Sequence, residues 1–226
     1  LEDYFTESLD FDGRRVLITA GPTHEAIDPV RFIGNHSSGR MGIALADEFA
    51  RRGAEVSLIL GPSSLKPSER VELIPVTTAE EMLAACQERI GTAHLAIFAA
   101  AVADYRPRYS SATKIKREGE DCLELELVQN PDIAATLGAA KGPWQYFMGF
   151  ALESDAGVEE AKRKMQRKNF DAIVLNSLQD AGAGFAHPTN KVTLFDREGA
   201  IEAYELKTKE AVARDIADFV AKRLDA

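Results

Sequence analysis

The residues best suited to hold a phosphorylated ligand lie at the end of a long segment, 21–42, that follows the first apolar run of the chain. Its last part, SSGRMG at 37–42, brings small and hydroxyl-bearing residues to the start of a predicted helix. Backbone amides at a helix start lack partners and carry partial positive charge, so they bind anions. The stretch predicts a phosphate site in which Gly39 lets the backbone approach the ligand and both serines donate hydroxyl bonds. Ordinary capping of the helix by Ser37 or Ser38 is the alternative interpretation.

One carboxylate and two groups of cations follow later in the chain and could complete such a site. Asp104 comes just after the apolar run 94–101 (HLAIFAAA), where a carboxylate can accept bonds from a base or a sugar. The basic stretch 114–117 (KIKR) lies in a polar segment, and Lys164 and Lys168 share a helix face because they are four residues apart. Each has a plainer interpretation: Asp104 as a turn residue, and the cations as parts of a solvated surface.

Other kinds of active site lack a matching pattern. The four histidines share no spacing typical of a zinc site, so we expect no metal held by protein side chains alone. A GxSxG hydrolase motif is absent. The dinucleotide-binding GxGxxG motif is also absent, because only Gly39 and Gly42 keep part of its spacing.

Apolar runs typical of strands alternate with amphipathic segments typical of helices along almost the whole chain. Strands are expected at 14–20, 54–60, 71–76, 94–101, 123–128, 145–152, 171–175, 191–196 and 201–206. Helices are expected at about 38–52 and 156–168, and after the caps Thr78, Asn130 and Thr208. This order predicts an α/β fold with a Rossmann-like, mostly parallel sheet and helices on both faces. Segments 21–37 and 105–120 are expected to lack regular structure. Ligands of such sheets bind beyond the carboxyl ends of the strands.

Composition narrows the possible partners. The chain has 226 residues, of which 45% are hydrophobic, so one domain with a full core is expected. A net charge of −9 disfavours nucleic-acid binding. No apolar run reaches the roughly 20 residues of a membrane span, and no signal peptide is visible. Cys86 and Cys122 have no metal or redox spacing and indicate reduced packing residues. We therefore expect a cytoplasmic protein without membrane contact.

Seven segments, in order, resemble the phosphopantothenoylcysteine synthetases of coenzyme A biosynthesis. They are 18–42 (ITAGPTHEAIDPVRFIGNHSSGRMG), 51–62 (RRGAEVSLILGP), 99–107 (AAAVADYRP), 114–117 (KIKR), 127–133 (LVQNPDI), 149–154 (GFALES) and 168–176 (KNFDAIVLN). The resemblance implies a ligase that activates the carboxylate of 4′-phosphopantothenate with CTP, releasing pyrophosphate. The amine of L-cysteine then attacks the acyl-cytidylate, which gives the amide and CMP.

The resemblance also implies site residues. Asn35 would hold the acyl-cytidylate, and Lys114 would belong to a flexible flap, 105–120, that closes over the nucleotide and the intermediate. Further nucleotide-binding residues would be Ser37, Ser38, Gly39, Met41, Phe98, Ala99, Ala100, Asp104, Asn130, Pro131, Asp132, Ile133, Phe150, Lys164 and Lys168. Mg²⁺ would be bound through the phosphates.

The same resemblance implies a single nucleotide-binding ligase domain over 1–226, in which 1–13 is a linker. It implies a homodimer formed through a small β extension that includes 123–128, and a flavin-dependent decarboxylase domain fused upstream in the complete protein. The chain departs from the family pattern at Arg117, where lysine is usual, and at 175–177 (LNS), which replaces a common Ala-Asn-Asp. CTP is expected, and the sequence leaves ATP open.

Two other functions stay open at this point. A short-chain NAD(P)-dependent oxidoreductase would explain the sheet and the glycine turn. It should carry Tyr-x-x-x-Lys, however, and Lys207 follows Tyr204 one residue too early. A nucleotide-binding regulatory module would bind CTP without releasing pyrophosphate.

Overall fold

A computed structural model describes residues 9–116, 122–153, 157–177 and 187–224. Its helices are α1 (Arg40–Arg51), α2 (Ala79–Ile90), α3 (Ile133–Ala139), α4 (Gly157–Arg167) and α5 (Lys209–Leu224). Its strands are β1 (Arg15–Ala20), β2 (His24–Ala26), β3 (Phe32–Gly34), β4 (Glu55–Leu60), β5 (Glu72–Pro75), β6 (Leu95–Phe98), β7 (Tyr105–Pro107), β8 (Leu127–Gln129), β9 (Tyr146–Glu153), β10 (Ala172–Ser177), β11 (Thr189–Asn190), β12 (Val192–Asp196), β13 (Ile201–Ala203) and β14 (Lys207–Thr208).

The main sheet has the strand order β13-β12-β10-β9-β6-β1-β4-β5. The strands from β10 to β5 in that order are parallel, and β12 and β13 add an antiparallel edge. The α/β, mostly parallel architecture expected from the sequence is confirmed. Because all the parallel strands point the same way, the segments that follow them meet at one edge of the sheet.

Helices cover both faces of the sheet, as predicted. Side chains alternate along β1, so that Val16 and Ile18 join one apolar cluster while Leu17 joins the other. The first cluster contains residues of α1 and α5, such as Phe49 and Phe219. The second contains residues of α2, α3 and α4. Side chains that extend past the carboxyl edge can therefore approach a ligand from either face.

Several local signals were read correctly. Thr78 and Glu81 form the predicted capping box at α2, in which the Thr78 hydroxyl accepts from the Glu81 amide at 3.2 Å. Thr208 accepts from the Ala211 amide at 3.2 Å and so caps α5. Of the expected linker 1–13, residues 1–8 lie outside the described residues, and Phe11 is buried in the core at 1% exposure.

The segment 21–37 was wrongly expected to be an irregular loop. It contains the antiparallel pair β2–β3, in which the rings of His24 and Phe32 stack with centroids 3.7 Å apart. The cap of α3 was also misplaced, because Asp132 caps this helix by accepting from the Ala135 amide at 3.1 Å. The side chain of Asn130 instead donates to the carbonyl oxygen of Ala103 at 2.8 Å.

The flap differs from the prediction as well. Tyr105–Pro107, expected to be irregular, forms β7 and pairs antiparallel with β8. The strand expected at 123–128 is shortened to Leu127–Gln129, and 122–126 form no regular element. The alternation LELELV suggested one buried face, but Leu123 is 51% and Leu125 37% exposed. Residues 117–121, including Arg117, lie outside the described residues.

Candidate functional site

A cavity of about 740 Å³ opens at the carboxyl edge of the parallel strands. Its walls come from the ends of β1, β6, β9 and β10 and from the starts of α1, α3 and α5. This volume is within the range of pockets that hold nucleotides and drug-sized ligands. The residues singled out from the sequence that line it are Asn35, Ser37, Ser38, Gly39, Met41, Phe98, Ala99, Ala100, Asp104, Asn130, Pro131, Asp132, Ile133, Phe150, Lys164 and Lys168. Lys114 is not among the lining residues.

The start of α1 faces the cavity without a side-chain cap. Gly39 occupies the cap position at φ 77°, a left-handed conformation that suits glycine. Ser37 accepts only from the Gly39 amide, at 3.3 Å, and Ser38 reaches the Arg40 amide only at 3.5 Å. The capping interpretation of the two serines is therefore wrong. The first helical turn, Arg40 to Gly42, lines the cavity and has no side-chain cap, which is an arrangement suited to bind phosphate.

The helix is brought close to the sheet by its second glycine. A Cβ atom on Gly42 would lie 2.3 Å from the Cβ atom of Ala20 at the end of β1. Any side chain at this position would push α1 away from the strand end. Gly42 thus allows the start of α1 to lie close to the end of β1.

Asp104 and the residues before α3 are linked by hydrogen bonds and form one wall of the cavity. The carbonyl oxygen of Asp104 accepts from the Asn130 amide at 2.8 Å, and Arg106 donates to the Asn130 side-chain oxygen at 3.1 Å. The Asp104 side chain itself is exposed and lines the cavity. Its carboxylate is therefore available to accept hydrogen bonds from a base or a sugar.

Aromatic rings lie behind this wall. Phe98 stacks on Phe170 and meets Phe147 edge-on, in both cases with ring centroids 5.5 Å apart. A Cβ atom on Gly149 would lie 2.0 Å from the Phe170 ring, so the glycine makes room for it. Phe98, Phe150 and Phe170 supply the apolar part of the lining.

Lys164 and Lys168 approach the cavity from the α4 side. The Lys164 ammonium donates to the carbonyl oxygen of Phe150 at 2.9 Å. Lys168 is 14% exposed and pairs with the cap residue Asp132 at 2.8 Å. Burial alone would raise the pKa of Asp132, but the bonds from Lys168 and the Ala135 amide lower it overall. Both lysines are thus held by partners at the cavity, so the solvated-surface interpretation does not describe them.

Asn35 faces the cavity from the loop between β3 and α1. Its side-chain nitrogen donates to the carbonyl oxygens of Ala101 and Val102, at 3.0 and 3.1 Å. Both amide hydrogens are therefore used within the protein, which leaves the side-chain oxygen as the atom that can accept from a ligand.

Lys114 is exposed and stands away from the cavity lining. Its neighbour Ile115 is tied to the β2–β3 hairpin through Asp28 and Arg31. Residues 114–116 are therefore attached to the hairpin by these bonds.

Sequence reasoning missed several polar lining residues, namely Thr19, Arg40, Gln129, Asn176, Asn190 and Lys209. Asn176 ends the matching segment 168–176 and lies in the departure 175–177, but sequence reasoning assigned it no role, and Lys209 follows the predicted cap Thr208. The side-chain oxygen of Asn176 is buried and has no hydrogen-bond partner among the described residues. Such a group is costly unless a donor reaches it, so it marks a place where a ligand or water is needed.

Within the described ranges, no helix is long and apolar enough to cross a membrane. The same ranges contain no group of three His, Cys, Asp or Glu side chains placed to hold a metal ion.

Comparisons with known proteins identify relatives of this chain. The family model for the DNA/pantothenate metabolism flavoprotein C-terminal domain matches residues 11–224. The chain is 53% identical to a protein of an unknown prokaryotic organism named cysteine/cysteine sulfinic acid decarboxylase, over 91% of this chain and 57% of that protein. It is 41% identical to the coenzyme A biosynthesis bifunctional protein CoaBC of Haemophilus influenzae, over 99% of this chain and 55% of that protein.

A similar structure is the crystal structure of the C-terminal domain of the coenzyme A biosynthesis bifunctional protein CoaBC. It superimposes with a TM-score of 0.83 at 38% identity, covering 96% of this chain and 99% of that one. The chain spans about half the length of the curated relatives it matches. These relatives give no support to the short-chain oxidoreductase alternative.

Proposed function

The chain belongs to the DNA/pantothenate metabolism flavoprotein C-terminal domain family, and we propose that it is a phosphopantothenate–cysteine ligase of coenzyme A biosynthesis. The reaction joins 4′-phosphopantothenate to L-cysteine in two steps. In the first, CTP converts the carboxylate into an acyl-cytidylate and pyrophosphate leaves. In the second, the cysteine amine displaces CMP.

The cavity at the carboxyl edge of the sheet is the observation that carries this proposal. It gathers an uncapped helix start, a wall with Asp104 and Asn130, and two lysines in one space of about 740 Å³. A carboxylate does not react with an amine until it carries a good leaving group. Chemistry of this kind requires positioning and charge neutralisation more than covalent help from the protein.

The nucleoside binds against the wall that carries Asp104 and Asn130. The strand end at 98–100 and the residues 130–133 supply backbone and side-chain groups along this wall. The triphosphate lies over the amides at the start of α1, beside Ser37 and Ser38. Lys164 and Lys168 neutralise phosphate charge from the opposite side.

Asn35 acts at the reacting centre in the second step. Its nitrogen is held by the carbonyls of Ala101 and Val102, so its orientation is fixed before substrate binds. Its oxygen can accept a hydrogen bond from the incoming cysteine amine and hold that amine near the acyl carbon. Lys114 acts in the first step, when the flap closes over the nucleotide and brings the ammonium to the phosphates.

Mg²⁺ fits this site only through the ligand. The described residues offer no cluster of carboxylates, and Asp132 is engaged by Lys168. Mg²⁺ is commonly bound through substrate phosphates with few protein ligands, and it would add positive charge to the triphosphate.

The proposal extends to partners. We propose a homodimer in the cytoplasm, and a flavin-dependent decarboxylase domain upstream in the complete protein. The latter is supported by the length of the curated relatives, about twice that matched here, and by the decarboxylase name of one of them.

The test is pyrophosphate release from CTP and from ATP, each with and without 4′-phosphopantothenate. We expect release only when 4′-phosphopantothenate is present, faster with CTP, and amide formation only after cysteine is added. A nucleotide-binding module without ligase activity would bind CTP and release nothing. Equal rates with the two nucleotides would contradict the preference for CTP.

A further inference from the structure

The cavity receives cations from both faces of the sheet. Lys164 and Lys168 approach from the α4 face, whereas Arg40 and Lys209 are the first residues of α1 and α5 on the opposite face. The proposed mechanism gives Lys164 and Lys168 a role in neutralising phosphate charge, and it assigns no role to Arg40 and Lys209. Both residues line the cavity, which suits them to bind another group of the ligand.

Strand pairing fixes Lys209 at the cavity. β14 pairs antiparallel with β11 and continues directly into α5, whose first amide, that of Lys209, donates to the carbonyl oxygen of Pro188 at 3.0 Å. On β11, Asn190 is 3% exposed, donates to the sulfur of Met41 at 3.7 Å and accepts from Asn176 at 3.4 Å. These contacts attach the start of α5 to the first turn of α1.

The electrostatics of this corner favour an anion. Lys209 is only 3% exposed, and its pKa is lowered by burial and by the nearby charge of Arg40. Arg40 is half-buried, and Glu210 partly offsets its effect on Lys209. Because Lys209 itself is buried, the positive potential of the pair is only weakly screened by water. The helix start of α1 adds partial positive charge beside them. A multivalent anion would relieve the repulsion between the two side chains.

We propose that Arg40 and Lys209 bind the β- and γ-phosphates of the nucleoside triphosphate. Asp104 and Asn130, the start of α1 and Lys209 all border the same cavity. With the nucleoside at Asp104 and the α-phosphate over the start of α1, the distal phosphates lie toward the remaining cations, Arg40 and Lys209. This inference rests on the proposed ligase function.

The assignment gives the two cations a role in the first step. A carboxylate oxygen of the acyl substrate bonds to the α-phosphorus, the bond between that phosphorus and the bridging oxygen to the β-phosphorus breaks, and its electron pair leaves with pyrophosphate. Negative charge thus develops on the leaving group beside Arg40 and Lys209. Cations held in place before the reaction stabilise that charge without reorganisation.

The experiment is calorimetric titration of the full-length protein, with Mg²⁺ present, using inorganic pyrophosphate, CTP and CMP in turn. Lys209→Met keeps the length of the side chain and removes its charge. We expect it to weaken pyrophosphate and CTP binding by about tenfold or more, the scale of one charge-assisted hydrogen bond, and to change CMP binding by less than about twofold. Lys209→Arg should restore most of the lost affinity.

Lys207→Met is the matched control, because Lys207 is 39% exposed, pairs with Asp215 and does not line the cavity. It should bind all three ligands as the native protein does. Native CTP and pyrophosphate affinity in Lys209→Met would overturn the inference alone. So would an equal loss of affinity for CMP and CTP. Failure of the native protein to bind CTP would overturn the proposed function as well.

Discussion

The carboxylate of Asp28 accepts a hydrogen bond from the backbone amide of Ile115 at 3.2 Å, although 87 residues separate the two in the chain. The same carboxylate pairs with the guanidinium of Arg31, which donates to the carbonyl oxygen of Ile115 at 3.0 Å. Both backbone groups of Ile115 are therefore held by the loop between β2 and β3. Because Ile115 lies between Lys114 and Lys116, this contact fixes the backbone that carries the two lysines.

Asp28→Asn should slow the proposed reaction while leaving the fold intact. The substitution places an amide nitrogen, itself a donor, opposite the donors of Arg31 and Ile115, so the basic stretch loses its anchor. We expect pyrophosphate release to fall by about tenfold to a hundredfold, the scale of a small misplacement of a reacting group. Asp12→Asn is the control, because Asp12 is exposed and lies in the turn before β1. Native rates in Asp28→Asn would show that the anchor has no functional role.

The pH dependence of stability gives an independent check on this anchor. Arg31, above all, and the backbone amides of Val30 and Ile115 hold the pKa of Asp28 well below its ordinary range, against the effect of burial. A carboxyl of this kind stabilises the fold above its unfolded pKa of about 4 and loses that contribution as the pH falls through the folded value. The difference in Tm between the native protein and Asp28→Asn should therefore stay constant at neutral pH and shrink only below about pH 4. Thermal melts across this range would contradict the anchor if the difference vanished near about pH 6.

The parallel strands were predictable because their signal is local. The run 94–101 is apolar on both faces, as a strand buried between two layers of helices must be. The β7–β8 pair was not predictable in the same way. Tyr105–Pro107 is too short and polar to indicate a strand alone, and it becomes one only by pairing with residues about twenty positions later.

The candidate site likewise has a part that the sequence predicts and a part that it does not. The SSGRMG stretch and the loop before α3 are each continuous in sequence, so a sequence motif can predict them. The corner formed by Arg40, Asn176, Asn190 and Lys209 comes from four separate elements. Only the pairing of β11 with β14 and the packing of α5 beside α1 bring those residues together. No local sequence pattern predicts such an arrangement.

The β2–β3 hairpin, the β7–β8 pair and the segments next to them predict a homodimer. Their exposed apolar side chains form a hairpin surface of Val30, Phe32, Tyr105, Tyr109, Leu123 and Leu127, each between 44% and 80% exposed. An apolar surface of this kind in a protein of net charge −9 is typical of an interface. Light scattering at micromolar concentration should give a dimer mass, and Leu123→Glu should shift it toward the monomer.

Leu206→Glu is the matched control for this experiment. Leu206 is also exposed, at 45%, but it lies between β13 and β14 and is not part of the hairpin surface. A monomeric native protein would contradict the prediction, and dissociation by both substitutions would show that the hairpin surface is not specific.

Lys114→Gln should slow the first step of the reaction. The side chain is exposed in the structure, so its removal leaves the fold and the cavity lining unchanged. The substitution removes a positive charge that the proposed flap brings to the phosphates, and we expect acyl-cytidylate formation to fall by about a hundredfold. Single-turnover measurement with labelled 4′-phosphopantothenate follows this species directly. Lys66→Gln, an exposed lysine after β4, should react at the native rate.

Asn35→Asp should slow the second step of the reaction, in contrast to Lys114→Gln, which should slow the first. An aspartate would set a carboxylate oxygen against the carbonyl oxygens of Ala101 and Val102, which the native amide nitrogen approaches at 3.0 and 3.1 Å. That oxygen is repelled by both carbonyls, so the side chain turns away and no longer presents a fixed acceptor to the cysteine amine. It also adds negative charge near the phosphates.

Because CTP is held mainly by the amides at the start of α1 and by the lysines, CTP binding and fold should largely survive in Asn35→Asp. Amide formation should fall by at least about two orders of magnitude, the scale reported for removing one positioned group, while the acyl-cytidylate accumulates. Single-turnover kinetics that follow the cytidylate and the amide separately make the distinction from Lys114→Gln, in which the cytidylate itself forms slowly. If Asn35→Asp produces both species at native rates, the two bonds to Ala101 and Val102 only shape the loop, and Asn35 has no part in the reaction.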